Sequence, residues 1–116
     1  MITKITMDGF SDERGYLFWT SPKLLDFDYK YLTIGTLEPG YSRGGHYHRR
    51  IVEKLLVVCG EMTYIQDDEK EKVFPGEVVD IPHGCKHTIT NIGEKTLVFV
   101  EFKSEEFNEE DKDTYV

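Results

Sequence analysis

A chain of 116 residues and 13.5 kDa is long enough to bury one core and short for a second domain. Its 39% apolar and 31% charged residues are the mix of an ordinary folded protein. No apolar run approaches the roughly 20 residues that span a bilayer, and a net charge of -8 argues against non-specific binding to nucleic acid or a membrane surface.

The start MITKITMDGF lacks a basic-then-apolar signal pattern, which predicts a cytoplasmic protein. Fifteen aromatic residues against four prolines suit an all-β chain. Short apolar or alternating runs recur between turn signals, as in a sandwich or barrel. In chain order the predicted strands are Thr3–Met7, Tyr16–Trp19, Tyr29–Leu37, Gly45–His48, Glu53–Val58, Glu61–Gln66, Lys72–Phe74, Glu77–Ile81, His87–Asn91 and Thr96–Lys103. Leu24, Leu25 and Phe27 could form one helical turn after Pro22. Asp67-Asp68-Glu69-Lys70 reads as a hairpin loop, Pro75-Gly76 as a turn, and Asn91 to Lys95 as another loop. Asn108 to Asp113 is too acidic to pack deeply and is expected to lie over the surface. Cys59 and Cys85 match no zinc-ribbon or redox spacing and read as free thiols.

All four histidines fall in two windows. The first holds Gly40, His46, His48, Glu53 and Gly60; the second holds Gly76, Pro82, Gly84, His87 and Asn91. His46 and His48 share a strand face by the period of two. Glu53 lies an odd number of residues past His48, so a bend around Arg49 to Val52 must return it to that face. With His87 these residues form a three-nitrogen, one-oxygen set suited to Zn²⁺, Fe²⁺, Mn²⁺ or Ni²⁺. His83 falls outside the set and reads as a rim residue. Gly60 and Gly76 mark turns where a larger residue would be strained.

Charge is unevenly spread. Arg43, Arg49, Arg50 and Lys54 face one acid, Glu53, between Gly40 and Gly60, whereas Glu105 to Asp113 holds six acids and one lysine. A basic motif segment in an acidic chain suits an anionic small molecule, with guanidinium groups matched to phosphate. Lys54, directly after Glu53, should face the opposite side.

The two windows resemble the paired signature motifs of the cupin superfamily at every defined position, which implies a single all-β cupin-type jelly-roll barrel over residues 1–116. The resemblance implies His46, His48, Glu53 and His87 as metal ligands, with zinc the first expectation and iron, manganese or nickel the alternatives. The segments RGGHYHRRIVEKLLVVCGE and VVDIPHGCKHTITNIGEKTLVFV and the ending EEFNEEDKDTY are similar to the C-terminal cupin domain of capsular-polysaccharide UDP-sugar epimerase/reductases. Asp12-Glu13-Arg14-Gly15 and Arg43-Gly44-Gly45-His46 resemble segments of the dTDP-4-keto-6-deoxyglucose 3,5-epimerases, and the 3,4-ketoisomerases share the second. The likeness implies an isomerase or epimerase acting on a 4-keto-6-deoxy nucleotide sugar in surface-polysaccharide biosynthesis. It implies Arg14 and Arg43 as substrate contacts, with Arg49 a further candidate, and His46 as base. A histidine bound to metal through its lone pair cannot accept a proton there, so both roles of His46 stay open. Tyr41 and Tyr64 are the other candidate acid–base groups. The sequence carries no reductase segment, so a separate reductase is an expected partner, as is a second copy in a homodimer. Another metal-dependent cupin enzyme (an oxygenase or decarboxylase) or a non-catalytic binding cupin are the competing expectations.

Overall fold

Alternation decides which way each strand residue faces, and eleven strands form among the described residues. The computed structural model describes residues 1–20 and 28–116, so the helical turn expected at Leu24, Leu25 and Phe27 lies outside the described residues. The strands are β1 (Lys4–Thr6), β2 (Asp8–Asp12), β3 (Gly15–Trp19), β4 (Tyr31–Leu37), β5 (Ser42–His46) and β6 (Glu53–Cys59). They continue as β7 (Met62–Gln66), β8 (Glu69–Val73), β9 (Glu77–Ile81), β10 (His87–Thr90) and β11 (Leu97–Lys103). A five-stranded sheet runs β1-β9-β6-β11-β4 and a four-stranded one β5-β10-β7-β8, every pairing antiparallel; β2 and β3 form a separate hairpin. The fold is an all-β jelly roll of the cupin type. Among the described residues no helix is long and apolar enough to cross a membrane.

The inner faces meet in one core. Leu55 and Val57 of β6, Met62 and Tyr64 of β7, Val79 and Ile81 of β9, Ile89 of β10, and Leu97 and Phe99 of β11 are all buried there. At about 25 cal/mol per Å² of apolar surface, each such side chain contributes roughly 1.5–3 kcal/mol. The same faces change character along their length. Beyond Leu55 comes Glu53, beyond Ile89 comes His87, and beyond Phe99 come Glu101 and Lys103. One end of the barrel is therefore apolar and the other carries charge.

Several strands differ from the sequence expectation. β2 was hidden because Asp-Gly-Phe-Ser-Asp is poor in β-branched residues; it forms by pairing across the Glu13-Arg14 turn with β3, whose Phe18 packs on Met7 and Val78. The expected loop at Asp67 to Lys70 is shorter, since Asp67, at a φ of 53°, and Asp68 alone make the turn and Glu69 already starts β8. The glycines at 60 and 76 both take a φ of 85°, the left-handed region that favours glycine. Cys59 and Cys85 are free thiols.

Asn91 ties two loops to the core. Its fully buried amide donates to the carbonyls of Leu37 and Lys95, both at 2.8 Å, and its Oδ1 accepts from the Gly93 N–H at 3.0 Å. Alanine would leave three backbone groups without partners, each costing about 1–3 kcal/mol where water cannot replace them. Asn91→Ala should therefore destabilise the fold by roughly 2–4 kcal/mol, read as a lowered midpoint in urea with an unchanged slope. A shift below ~0.5 kcal/mol, the ordinary surface value, would remove Asn91 from this role.

Candidate functional site

At the polar end the barrel opens into a cavity of about 440 Å³. Histidines enter from one wall. His46 ends β5, His48 lies two residues beyond the strand, and His87 opens β10, directly opposite His46 in the pairing. The strand expected to carry both His46 and His48 stops at His46, yet the rings still converge. Ring centroids lie 5.0 Å apart for His46 and His48, 4.7 Å for His46 and His87, and 5.2 Å for His48 and His87. β5 approaches β10 closely here because position 44 is glycine: with a φ of 111°, an added Cβ would meet the His87 carbonyl oxygen at 2.6 Å.

The expected bend lies at Arg49 and Arg50, and it returns Glu53 to the cavity as the first residue of β6. Glu53 is buried, with Oε1 at 3.0 Å from His48 Nε2 and 3.9 Å from Lys103 Nζ. Burial pulls its pKa up, but His48 and the Lys103 ammonium outweigh this and hold the carboxyl below the usual range. Glu101, two residues before Lys103 on the same face of β11, goes the other way. Burial and the neighbouring Glu53 carboxylate raise its pKa.

Hydrogen bonds fix two imidazoles. His48 Nδ1 lies 2.8 Å from the Asp113 carbonyl and His87 Nδ1 lies 3.3 Å from the Cys85 carbonyl. A carbonyl can only accept, so each Nδ1 carries hydrogen and each Nε2 keeps its lone pair when the ring is neutral. His48 Nε2 is buried without a hydrogen-bond partner, since with hydrogen on Nδ1 it is an acceptor, as is the Glu53 oxygen 3.0 Å away. One ring nitrogen from each of His46, His48 and His87 lies within 4.8 Å of the others. Three convergent imidazoles, two with their outer nitrogen tied to a backbone carbonyl, and one orphaned buried nitrogen fit a divalent metal. Burial, then the charges on His87 and His48, lowers the pKa of His46 to about 4, so its ring is neutral at physiological pH.

Other sequence candidates fall in different places. Arg43 lines the cavity. Tyr64, expected as an acid–base group, is buried in the core with its hydroxyl donated to Gln66 Oε1 at 2.9 Å, and it does not line the cavity. Tyr41 is exposed beside an adjoining groove that it shares with Arg43. Arg14 pairs with Asp12 on the β2–β3 hairpin and borders a separate groove there. Arg49 stacks on the Tyr115 ring, 4.2 Å from its centroid, and Arg50 pairs with Glu105 and Asp111. Lys54 faces away from the cavity, as expected, with Nζ 2.6 Å from Asp80 Oδ1. His83 is exposed outside the cavity. The sequence reading missed Glu101 and Lys103. Their signal was available, since two charges continue the inward face of a strand whose earlier inward residues, Leu97 and Phe99, are core.

The chain belongs to the polysaccharide biosynthesis C-terminal domain family, whose model matches residues 10–115. It is 34% identical over 88 residues to the UDP-2-acetamido-2,6-beta-L-arabino-hexul-4-ose reductase of Pseudomonas aeruginosa, covering 69% of this chain and 24% of the relative. It is 33% identical over 78 residues to the oxalate decarboxylase OxdC of Bacillus subtilis, covering 62% of this chain and 20% of the relative. The chain thus spans about a quarter or less of the curated relatives it matches. Among solved structures, the capsular polysaccharide assembling protein CapF of Staphylococcus aureus superposes with a TM-score of 0.68 at 28% identity, over 96% of this chain and 32% of that one. The sugar 3,4-ketoisomerase QdtA of Thermoanaerobacterium thermosaccharolyticum, solved in complex with TDP, gives a TM-score of 0.78 at 21% identity, over 97% of this chain and 85% of that one.

The three-imidazole geometry makes a direct prediction. Protein stripped of metal and offered Zn²⁺ should bind one ion, and His87→Ala should lose tight binding because a ligand is gone and the site opens to water. His83→Ala, four residues away and exposed, should keep it. Metal content after dialysis checks both; retention by the first variant with loss by the second would overturn the assignment.

Proposed function

We propose that this chain is a cupin isomerase or epimerase that removes a proton beside the ketone of a 4-keto-6-deoxy nucleotide sugar, for surface-polysaccharide biosynthesis. The observation that carries this reading is the two-walled cavity, with three imidazoles, the His46 ring neutral among them, on one side and Glu101 and Lys103 on the other. Family membership and the likeness to a UDP-sugar reductase and a ketoisomerase support the substrate class.

A hydrogen next to a ketone becomes removable when the enolate oxygen left behind is stabilised. The Lys103 ammonium offers that stabilisation from within the cavity. His46, neutral and with a ring nitrogen facing the other two imidazoles, can take the proton. Where His46 serves instead as a metal ligand its lone pair is committed, and Glu101 is the acceptor on the opposite wall. A group on each wall is what inversion at carbon requires, since the proton leaves from one face and returns to the other. His46, His48 and His87, with Glu53 beside His48, would hold the metal, zinc by preference, and a bound ion would polarise the ketone as a Lewis acid. Arg43 at the cavity contacts the diphosphate.

A second reading rests on the likeness to oxalate decarboxylase. In it the same histidines hold manganese or iron and the substrate is a small carboxylate. Release of carbon dioxide from such an acid, without isotope exchange into any keto sugar, would favour it.

We also propose a homodimer. Leu32 and Ile34 on β4, which pairs only with β11 among the described residues, are 47% and 70% exposed, an apolar edge that a second copy would cover. A monomer in light scattering would reject that part. A reductase would consume the product ketone.

In heavy water, the protein should place deuterium on the carbon next to the ketone of such a substrate. Arg43→Ala should retain metal and fold but weaken substrate binding by about 1.5–3 kcal/mol, the range for a charged hydrogen bond. No exchange with either a UDP- or a dTDP-linked 4-keto-6-deoxy sugar would reject the function.

A further inference from the structure

The last four residues form a strap beside the histidine cluster, tied down at two points. Asp113, from the acidic segment expected to lie on the surface, is only 2% exposed. Its carboxylate accepts the backbone N–H groups of Arg49 at 3.1 Å, Arg50 at 2.8 Å and Ile51 at 3.0 Å. These belong to the bend that carries the chain from His48 to Glu53. Its backbone has a φ of 51°, a left-handed conformation that aspartate tolerates better than most side chains. With the backbone so placed, its carbonyl receives the Nδ1 hydrogen of His48. Tyr115 secures the far side, exchanging two backbone hydrogen bonds with Tyr47 at 2.9 and 3.0 Å. Between them Thr114 lines the cavity.

One residue thus touches His48 twice over, directly through its carbonyl and indirectly through the bend that follows the histidine. We propose that Asp113 is a positioning residue for His48. Its carboxylate shapes the 49–51 bend, and its carbonyl selects the ring form with hydrogen on Nδ1 and the lone pair of Nε2 turned to Glu53. An outer partner of this kind sets which nitrogen is free and how the ring is aimed. Among the described residues the strap hydrogen-bonds to His48 and to neither of the other two imidazoles, His87 using the Cys85 carbonyl instead, so the effect falls on His48. The inference rests on the site assigned above, but its first test needs neither substrate nor metal.

Nitrogen-15 shifts of the histidine rings, recorded at alkaline pH on metal-free protein, report which nitrogen bears hydrogen. In the parent protein His48 should be the Nδ1–H form. Asp113→Ala should mix the two forms at His48 and leave His87 unchanged. Asp113→Asn keeps one acceptor oxygen and tolerates the left-handed backbone, so it should restore most of the parent signal and remain measurable if alanine fails to fold. Zn²⁺ affinity by chelator competition should fall about 10- to 100-fold for Asp113→Ala, the usual cost of an outer partner, and less for Asp113→Asn. Asp111→Ala, which removes only a surface partner of Arg50, should change neither readout. A parent protein with His48 in the Nε2–H form, or an unchanged ring form and zinc affinity in both Asp113 variants, would overturn the proposal. If the parent takes up no zinc, the metal reading fails and the ring form alone decides on Asp113.

Discussion

Two buried acceptors face each other at the polar end of this barrel. His48 gives its Nδ1 hydrogen to a backbone carbonyl, so the nitrogen 3.0 Å from the Glu53 carboxylate offers a lone pair to a negative charge. Such a contact persists only if positive charge sits in or beside it. The structure supplies this in graded ways. Lys103 stands behind Glu53, and the pKa of His48 is raised, because Glu53 and the Asp113 carbonyl outweigh the opposing effect of burial. A metal between the imidazoles would do the same more completely. Folding and chemistry therefore ask for the same thing here, a cation in this cavity.

The position of that demand follows from the strands. The inward faces of β6, β10 and β11 run from aliphatic and aromatic residues to Glu53, His87, Glu101 and Lys103, with Lys103 directly opposite Glu53 in the pairing of β11 and β6. The apolar half holds the sheets together, which lets the polar half stay open. Crowding four ionisable groups would be costly in a core; at the rim of a barrel already closed by Leu97, Phe99 and Met62, it becomes a site. The net charge of -8 does not exclude an anionic ligand, because Lys103 and Arg43 are turned into the cavity while much of the acidic excess lies in the carboxyl-terminal segment.

Fold class and the histidine cluster were legible in the sequence because they depend on period and spacing. Alternation placed β9 at its observed bounds, and the odd interval between His48 and Glu53 demanded the bend that is seen at Arg49 and Arg50. What escaped depends on contacts distant in sequence. Asp113 looks like one more acid in an acidic tail, and nothing nearby shows that its oxygens meet three amides some 60 residues earlier. Tyr64 looked available because tyrosine is a common acid–base group, but its strand position turns the ring into the core, where Gln66 takes its hydroxyl. β2 was invisible because a hairpin can form from polar residues when its partner strand supplies the apolar anchor. Glu101 and Lys103 were readable in principle, had the inward face of β11 been followed to its end.

The most direct test of this account is a crystal structure of the protein with a nucleotide-linked 4-keto-6-deoxy sugar bound. The account predicts the sugar ring inside the cavity, its ketone oxygen near Lys103 or the imidazole cluster, and its diphosphate against Arg43. A sugar bound in the groove beside Arg14, or on the outer face of the five-stranded sheet with the cavity unused, would contradict it.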